Sequence, residues 1–101
     1  MDIGLMKQAL ELKNKMAKVQ KELAKTMIEE EGADGQIKAI VNGQQKLMKL
    51  EIGQVFVNEN KAEIIAKEIT KVIIKATEKS QRLADEKMKE LTGGLNFPGL
   101  G

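Results

Sequence analysis

Apolar residues recur through the first part of the chain in alternating steps of four and three positions. The residues that keep this spacing are Leu5, Ala9, Leu12, Met16, Val19 and Leu23. Such a narrow apolar stripe is typical of a helix that packs against one or two other helices rather than into a broad core. We therefore predict an amphipathic helix over residues 2–26, with lysines along its outward face.

The middle of the chain alternates apolar and polar residues in short runs separated by turn residues. These runs predict three strands, at residues 27–31, 36–41 and 46–52. A Gly-Ala-Asp-Gly sequence separates the first two runs, and Asn42-Gly43 begins the connection between the last two. Because both central residues of a type I′ turn need a positive φ, an Asn-Gly pair favours a two-residue hairpin loop.

The predicted hairpin also sets the register of its two strands, since a two-residue loop places Ile37 opposite Met48. In this register, one face of the hairpin carries Ile37, Ala39, Val41, Met48, Leu50 and Ile52. Ile40 and Leu47 fall on the opposite face. They are either covered by a partner subunit or are isolated apolar residues on the surface.

A second, longer helix is predicted from about residues 58–60 to residue 91. Asn60 and Glu63 have the spacing of a capping box at its start, and Gly93-Gly94 ends it. Its apolar stripe consists of Ala62, Ile65, Ile69, Val72, Ala76 and Leu83, widened by Ile64, Ile73 and Ile74.

These elements predict an α+β fold with one α-β-β-β-α domain over residues 1–92, in which long terminal helices flank a three-stranded antiparallel sheet. Residues 93–101 contain glycines and one proline and are predicted to form a flexible tail. A chain of 101 residues with only two aromatic residues buries a modest core. We therefore expect a twofold homodimer to complete that core. The predicted interface residues are Ile40, Leu47, Ile69, Val72 and Ile73.

The composition argues against an enzyme, because the chain contains no His and no Cys. These residues supply most general bases, zinc ligands and thiol nucleophiles. Glu29-Glu30-Glu31 lacks the alternate ligand spacing of a calcium loop, so we interpret it as solvent-facing or edge-protecting. We therefore predict no catalytic residue, metal, cofactor or small-molecule substrate. No apolar run approaches the roughly 20 residues that span a bilayer, and we expect a cytoplasmic protein without membrane contact.

Both helices carry cations at helical spacing. The second helix carries Lys67, Lys71, Lys75, Lys79 and Arg82 in one band, and the first carries Lys18, Lys21 and Lys25. A row of cations about one helical turn apart can follow a phosphate backbone and release counterions. The same pattern is typical of a solvated face whose cations pair with acids such as Glu63, Glu68 and Glu78. The charge pattern alone leaves both interpretations open.

Three segments give the chain a resemblance to a known family. They are Leu5-Met6-Lys7-Gln8-Ala9, then residues 35–43 (Gly-Gln-Ile-Lys-Ala-Ile-Val-Asn-Gly) followed by Leu50-Glu51-Ile52, and finally residues 88–95 with Phe97-Pro98-Gly99-Leu100. In this order and spacing they resemble the YbaB/EbfC family of bacterial nucleoid-associated proteins over nearly the whole chain. One departure is Ile74, which makes the second helix more apolar where relatives often carry an Asn.

The resemblance implies a protomer that dimerises through its central region, with helices projecting like the arms of tweezers. It also implies binding to double-stranded DNA with limited sequence preference in the nucleoid, and an influence on nucleoid organisation and gene expression. From the charge pattern of this chain, the candidate DNA-binding residues are Lys18, Lys21, Lys25, Lys71, Lys75, Lys79 and Arg82.

A second function also fits the helix–sheet–helix pattern. A chaperone-like module that resembles a short prefoldin subunit would hold unfolded chains between apolar arm tips, without binding DNA. The first helix is short for such an arm, and we expect Lys18, Lys21 and Lys25 where an apolar tip is needed. The sequence therefore predicts a homodimer that contacts duplex DNA through Lys and Arg side chains of its helices.

Overall fold

The structure is a computed structural model that describes residues 3–93. Its order of elements confirms the predicted α-β-β-β-α fold and adds one short helix before the last. The predicted tail beyond Gly93 and the predicted helix start at Asp2 lie outside the described residues. The elements are α1 (Ile3–Lys25), β1 (Met27–Gly32), β2 (Ile37–Asn42), β3 (Leu47–Ile52), α2 (Gln54–Glu59) and α3 (Ala62–Leu91).

The three strands form an antiparallel sheet in the order β1-β2-β3. The predicted register of the second hairpin is wrong. Ile37 pairs with Ile52 and Ala39 with Leu50, further along β3 than a two-residue loop allows, and an irregularity follows Ile40. Cross-strand partners share a face, so Leu50 and Ile52 nevertheless lie on the same side of the sheet as Ile37 and Ala39.

The register differs because Asn42 does not occupy the turn position that an Asn-Gly pair predicts. Asn42 is the last residue of β2, and its Oδ1 accepts hydrogen bonds from the N–H groups of Gln44 (2.9 Å) and Lys46 (3.0 Å). The positive φ of the loop falls on Gln45, at 62°. The N–H of Asn42 donates to the carbonyl of Lys46 (2.9 Å), so three residues, 43–45, lie inside the closing pair, and the last of them is left-handed.

α3 packs over β1 and β2 and encloses the core between helix and sheet. β3 lies at the edge of this cover, so Leu50 and Ile52 each keep 36% of their surface exposed although they lie on the core-facing side. The fully or nearly fully buried apolar residues are Leu23, Ile28, Ile37, Ala39, Val41, Val72 and Ala76.

The predicted interface residues differ in how much surface one protomer leaves free. Val72, on α3, keeps only 3% of its surface exposed, because its side chain packs against β2 inside the protomer. Ile69 and Ile73 pack half-buried against the same cluster, Ile40 is half-buried, and Leu47 is exposed. Little of Val72 is therefore left for a subunit contact, whereas the other four keep accessible surface and stay predictions.

The predicted start of the second helix is also wrong. Asn60 ends α2 instead of opening α3, since its Nδ2 donates a hydrogen bond to the carbonyl of Phe56 (2.9 Å). α3 begins at Ala62 after Lys61, whose side chain makes no capping hydrogen bond. The amide of Asn60 thus satisfies a free carbonyl at the end of the preceding helix, which is a common role for a polar residue at that position.

A polar junction joins the end of α1, the β2–β3 loop and the middle of α3. Asn42 donates from Nδ2 to the carbonyl of Ala24 (3.2 Å), and fully buried Ser80 donates from Oγ to the carbonyl of Asn42 (2.6 Å). Gln45 Nε2 in turn donates to Ser80 Oγ (3.0 Å). Because α1 and α3 meet the same loop, α1 and the last part of α3 leave the sheet at one end.

The exposure of the α1 apolar stripe rises with distance from this junction. Leu23 is buried, Met16 is half-buried, and Leu5 is 64% exposed. The stripe therefore extends past the part that the rest of the protomer covers. The outer half of α1 presents uncovered apolar side chains to its surroundings.

Candidate nucleic-acid interface

Lys18, Lys21 and Lys25 form a cluster of exposed cations on α1. Their spacing of three and four residues puts them on one face of the helix within two turns. Within residues 3–93, no carboxylate forms an ion pair with any of the three. We call these three residues the α1 lysine cluster. Glu22 lies within one helical turn of Lys18 and Lys25 but forms no ion pair with them, so this part of the surface keeps a local positive charge.

The α1 lysine cluster lies beside the sheet and not at the far end of an arm. Lys25 is the last residue of α1, and β1 begins at Met27. The expectation that these lysines occupy the position of an arm tip is therefore wrong. The helix runs towards the sheet, so its outer end is the apolar end around Leu5.

The cations of α3 behave differently, because most of them have acidic partners. Lys71 Nζ lies 3.3 Å from Glu68 Oε1, a helical pair of the kind that the sequence predicts. Lys75 Nζ and Lys79 Nζ lie 3.7 Å and 3.3 Å from the two carboxylate oxygens of Glu30 on β1. One carboxylate thus serves two ammonium groups, and the local charge of this band is reduced.

Arg82 continues the α3 band one turn beyond Lys79, past the part of the helix that faces the sheet. Its side chain is exposed, and in the part of the chain that the structure describes it has no acidic partner. It lies two residues after Ser80, which the junction holds against the same loop that meets the end of α1. Arg82 is therefore an α3 cation whose charge no ion pair among residues 3–93 reduces.

The face of the sheet opposite α3 carries paired charges. Lys38 Nζ lies 3.9 Å from Glu29 Oε1 and 3.7 Å from Glu31 Oε1, and Lys49 Nζ lies 2.9 Å from Glu51 Oε1. The hydrogen bond and the opposite charge raise the pKa of Lys49 and lower the pKa of Glu51. Since its cations are held by acids, this face is a poor surface for phosphate.

Comparison with known proteins shows which family the chain belongs to. A sequence model of the YbaB/EbfC DNA-binding family matches residues 2–95. The chain belongs to this family. The family consists of nucleoid-associated DNA-binding proteins and is not a family of enzymes. The resemblance that the sequence segments indicate is thereby confirmed.

Individual relatives extend the match over nearly the full chain. The nucleoid-associated protein DP1429 of Desulfotalea psychrophila is 33% identical over 101 residues, covering 99% of this chain and 95% of that protein. The nucleoid-associated protein A2cp1_3777 of Anaeromyxobacter dehalogenans is 34% identical and covers 99% and 98%. The crystal structure of uncharacterized protein HP0035 from Helicobacter pylori has the same fold, with a TM-score of 0.62 and 14% identity over 85% of this chain and 95% of that one.

Glu30 is the residue of this YbaB/EbfC-family surface that sequence reasoning missed. The sequence places three acids in a row on β1, and the alternation of a strand sends Glu29 and Glu31 to one face and Glu30 to the other. Glu30 meets Lys75 and Lys79 because it lies on the face of β1 that α3 covers. The alternation of a strand separates Glu30 from Glu29 and Glu31, but the sequence does not show which face of β1 is covered by α3.

The described residues also limit other kinds of site. Within residues 3–93, no three acidic side chains come together in a way that would hold a metal ion. None of the helices in that range is long and apolar enough to cross a membrane. Because its four cations form no ion pair within residues 3–93, the α1 lysine cluster with Arg82 is the candidate binding surface.

Proposed function

We propose that this protein binds double-stranded DNA as a homodimer, chiefly through Lys18, Lys21 and Lys25, and with limited sequence preference. The observation that supports it most is that the α1 lysine cluster is exposed, lies on one helical face and has no acidic partner among the described residues. Cations in such a row attract phosphate by charge and release counterions, which favours binding without reading bases. The protein then acts in the cytoplasm on the nucleoid and influences its organisation and gene expression.

The cations of α3 contribute less in this proposal. Lys71 is engaged by Glu68, and Lys75 and Lys79 share Glu30. A phosphate that approaches these ammonium groups has to compete with a carboxylate that is already in place. Arg82, which has no such partner among residues 3–93, adds one contact from α3.

The homodimer is supported by the apolar surface that one protomer leaves open. The outer half of α1 exposes Ile3 (81%), Leu5 (64%) and Leu10 (58%), and Leu47 on the edge strand is 43% exposed. Exposed apolar side chains along one helix and on an edge strand are typical of surfaces that another protein covers. A second copy is the occupant we propose, because the α1 stripe continues without a break from the buried Leu23 to the exposed Leu5.

Sedimentation equilibrium tests the homodimer. At micromolar concentrations, we expect a mass twice the 11.2 kDa of the chain. Leu47→Glu should shift the equilibrium towards the monomer, because a charge buried without a partner is costly. A mass of one chain at all concentrations would show that the exposed apolar residues have another purpose.

Binding to two labelled duplexes of equal length and unrelated sequence tests the DNA-binding function. Fluorescence anisotropy in dilute buffer should give affinities that agree within a few-fold, because phosphate contacts carry no sequence information. Absence of binding to both duplexes would rule the function out. A difference of about a thousandfold between them would instead indicate sequence-specific recognition and overturn the charge-based mechanism.

A chaperone-like module that resembles prefoldin would hold unfolded chains with apolar arm ends. The exposed outer end of α1 is apolar and therefore also fits this second function. Leu5, Met6 and Leu10 lie there with more than half of their surfaces exposed. If the homodimer covers these residues, the protein should not suppress aggregation of a heat-denatured client at equimolar concentration. Suppression by the wild type that is lost in Leu5→Glu would favour the chaperone-like function.

A further inference from the structure

Glu30 occupies an unusual position for an acidic residue in a DNA-binding surface. Its side chain is only 17% exposed, and its Oε2 and Oε1 lie 3.7 Å and 3.3 Å from the ammonium groups of Lys75 and Lys79. These two lysines are one helical turn apart on α3. Each carboxylate oxygen therefore takes one cation, which is also how the oxygens of one phosphate group would bridge two lysines at this spacing.

The neighbouring acids do not share this role. Glu29 and Glu31 lie on the other face of β1 and pair with Lys38 at 3.9 Å and 3.7 Å. Their side chains are about half exposed, at 50% and 52%. Charges at the surface interact weakly through water, whereas a carboxylate that is largely shielded holds its partners more strongly. Glu30 therefore differs from Glu29 and Glu31 in the face of β1 on which it lies and in how far its side chain is buried.

We propose that Glu30 is an internal competitor for the DNA phosphate, which holds Lys75 and Lys79 as a closed phosphate site and limits the affinity of the protein for DNA. This inference rests on the proposed DNA-binding function. In the free protein, the carboxylate satisfies both ammonium groups. When it is removed, the two lysines become a free pair on the same helix as Arg82, and they add phosphate contacts to those of the α1 lysine cluster.

The test compares Glu30→Gln with Glu29→Gln in a DNA titration. Both variants change the net charge by the same amount, on adjacent residues of one strand, so a general charge effect is common to both. Glu30→Gln should bind duplex DNA about tenfold more tightly, and its affinity should depend more steeply on salt by up to about two counterions for each protomer that contacts the DNA, since two lysines are freed in each. Glu29→Gln should show only the smaller common effect.

A second set of variants assigns the gain to the two lysines. Adding Lys75→Gln and Lys79→Gln to Glu30→Gln should return the affinity to about that of the wild type. The same two lysine substitutions alone, with Glu30 in place, should change the affinity little. This second comparison does not depend on Glu30→Gln being well folded, and a large loss of affinity in it would overturn the proposal.

The outcomes separate this inference from the function on which it rests. Equal gains in Glu30→Gln and Glu29→Gln would overturn the inference while leaving DNA binding intact. Absence of DNA binding by the wild type and by Glu30→Gln would overturn the proposed function and the inference with it.

Discussion

Replacing Lys18, Lys21 and Lys25 together by Gln is expected to weaken binding to duplex DNA on the order of a hundredfold at about 100 mM salt. Each substitution removes one contact between a lysine and a phosphate, and with it the release of about one counterion. The three side chains are exposed and have no acidic partner among the described residues, so their full charge is available to DNA. Fluorescence anisotropy with one labelled duplex measures the loss.

The matched control is the Lys75→Gln, Lys79→Gln, Arg82→Gln variant, which removes the same number of cations from α3. Its loss of affinity should be clearly smaller, because Glu30 already engages two of the three side chains. Circular dichroism should show that both variants stay folded, since all six residues are on the surface. Equal losses in the two variants would contradict the assignment of the main contacts to the α1 lysine cluster.

Gly43→Ala is expected to lower the free energy of unfolding by about 3 kcal/mol, a large effect for a single methyl group. A Cβ at this position would lie 2.6 Å from the carbonyl oxygen of Leu23 and 2.9 Å from its Cα. The N–H of Gly43 also donates to that carbonyl (2.8 Å) and to the carbonyl of Thr26 (3.0 Å). The main-chain atoms of Leu23 cannot rotate away from the added methyl group, so the end of α1 would have to move away from the loop.

Gly53→Ala is the control for this substitution. The closest atoms to its added Cβ belong to the amide of the Gln36 side chain, which is exposed and can adopt another rotamer. Its cost should be below about 1 kcal/mol. Thermal unfolding at one fixed protein concentration compares the two variants, since the melting temperature of a dimer depends on concentration. Similar melting temperatures would show that the Gly43 contact with Leu23 is not a tight one.

The periodic patterns of the sequence predicted the larger elements well. The stripe from Leu5 to Leu23 predicts α1, and the alternation around Ile37 and Val41 identifies the residues that the core buries completely. These predictions succeed because they depend on local periodicity, which burial against any neighbour enforces. The Lys71–Glu68 pair was predictable for the same reason, since helical spacing alone brings the two together.

The details that failed depend on contacts between distant parts of the chain. Asn42 and Gly43 match a two-residue hairpin loop in sequence, but Asn42 binds the end of α1 and Gly43 fits against the backbone of Leu23. Glu30 meets Lys75 and Lys79 only because α3 covers one particular face of β1. No spacing rule within a single element contains this information, and it changes which basic row is free to meet DNA.

The central claim is that rows of free cations on α1 bind a polyanion, and the salt dependence of wild-type DNA affinity tests it most directly. If a dimer neutralises about six phosphates through its lysine clusters, the affinity should fall on the order of a thousandfold between about 50 and 200 mM monovalent salt. The logarithm of the affinity should decrease linearly with the logarithm of the salt concentration. An affinity that stays constant across this range, or no detectable binding at the lowest salt concentration, would contradict the account.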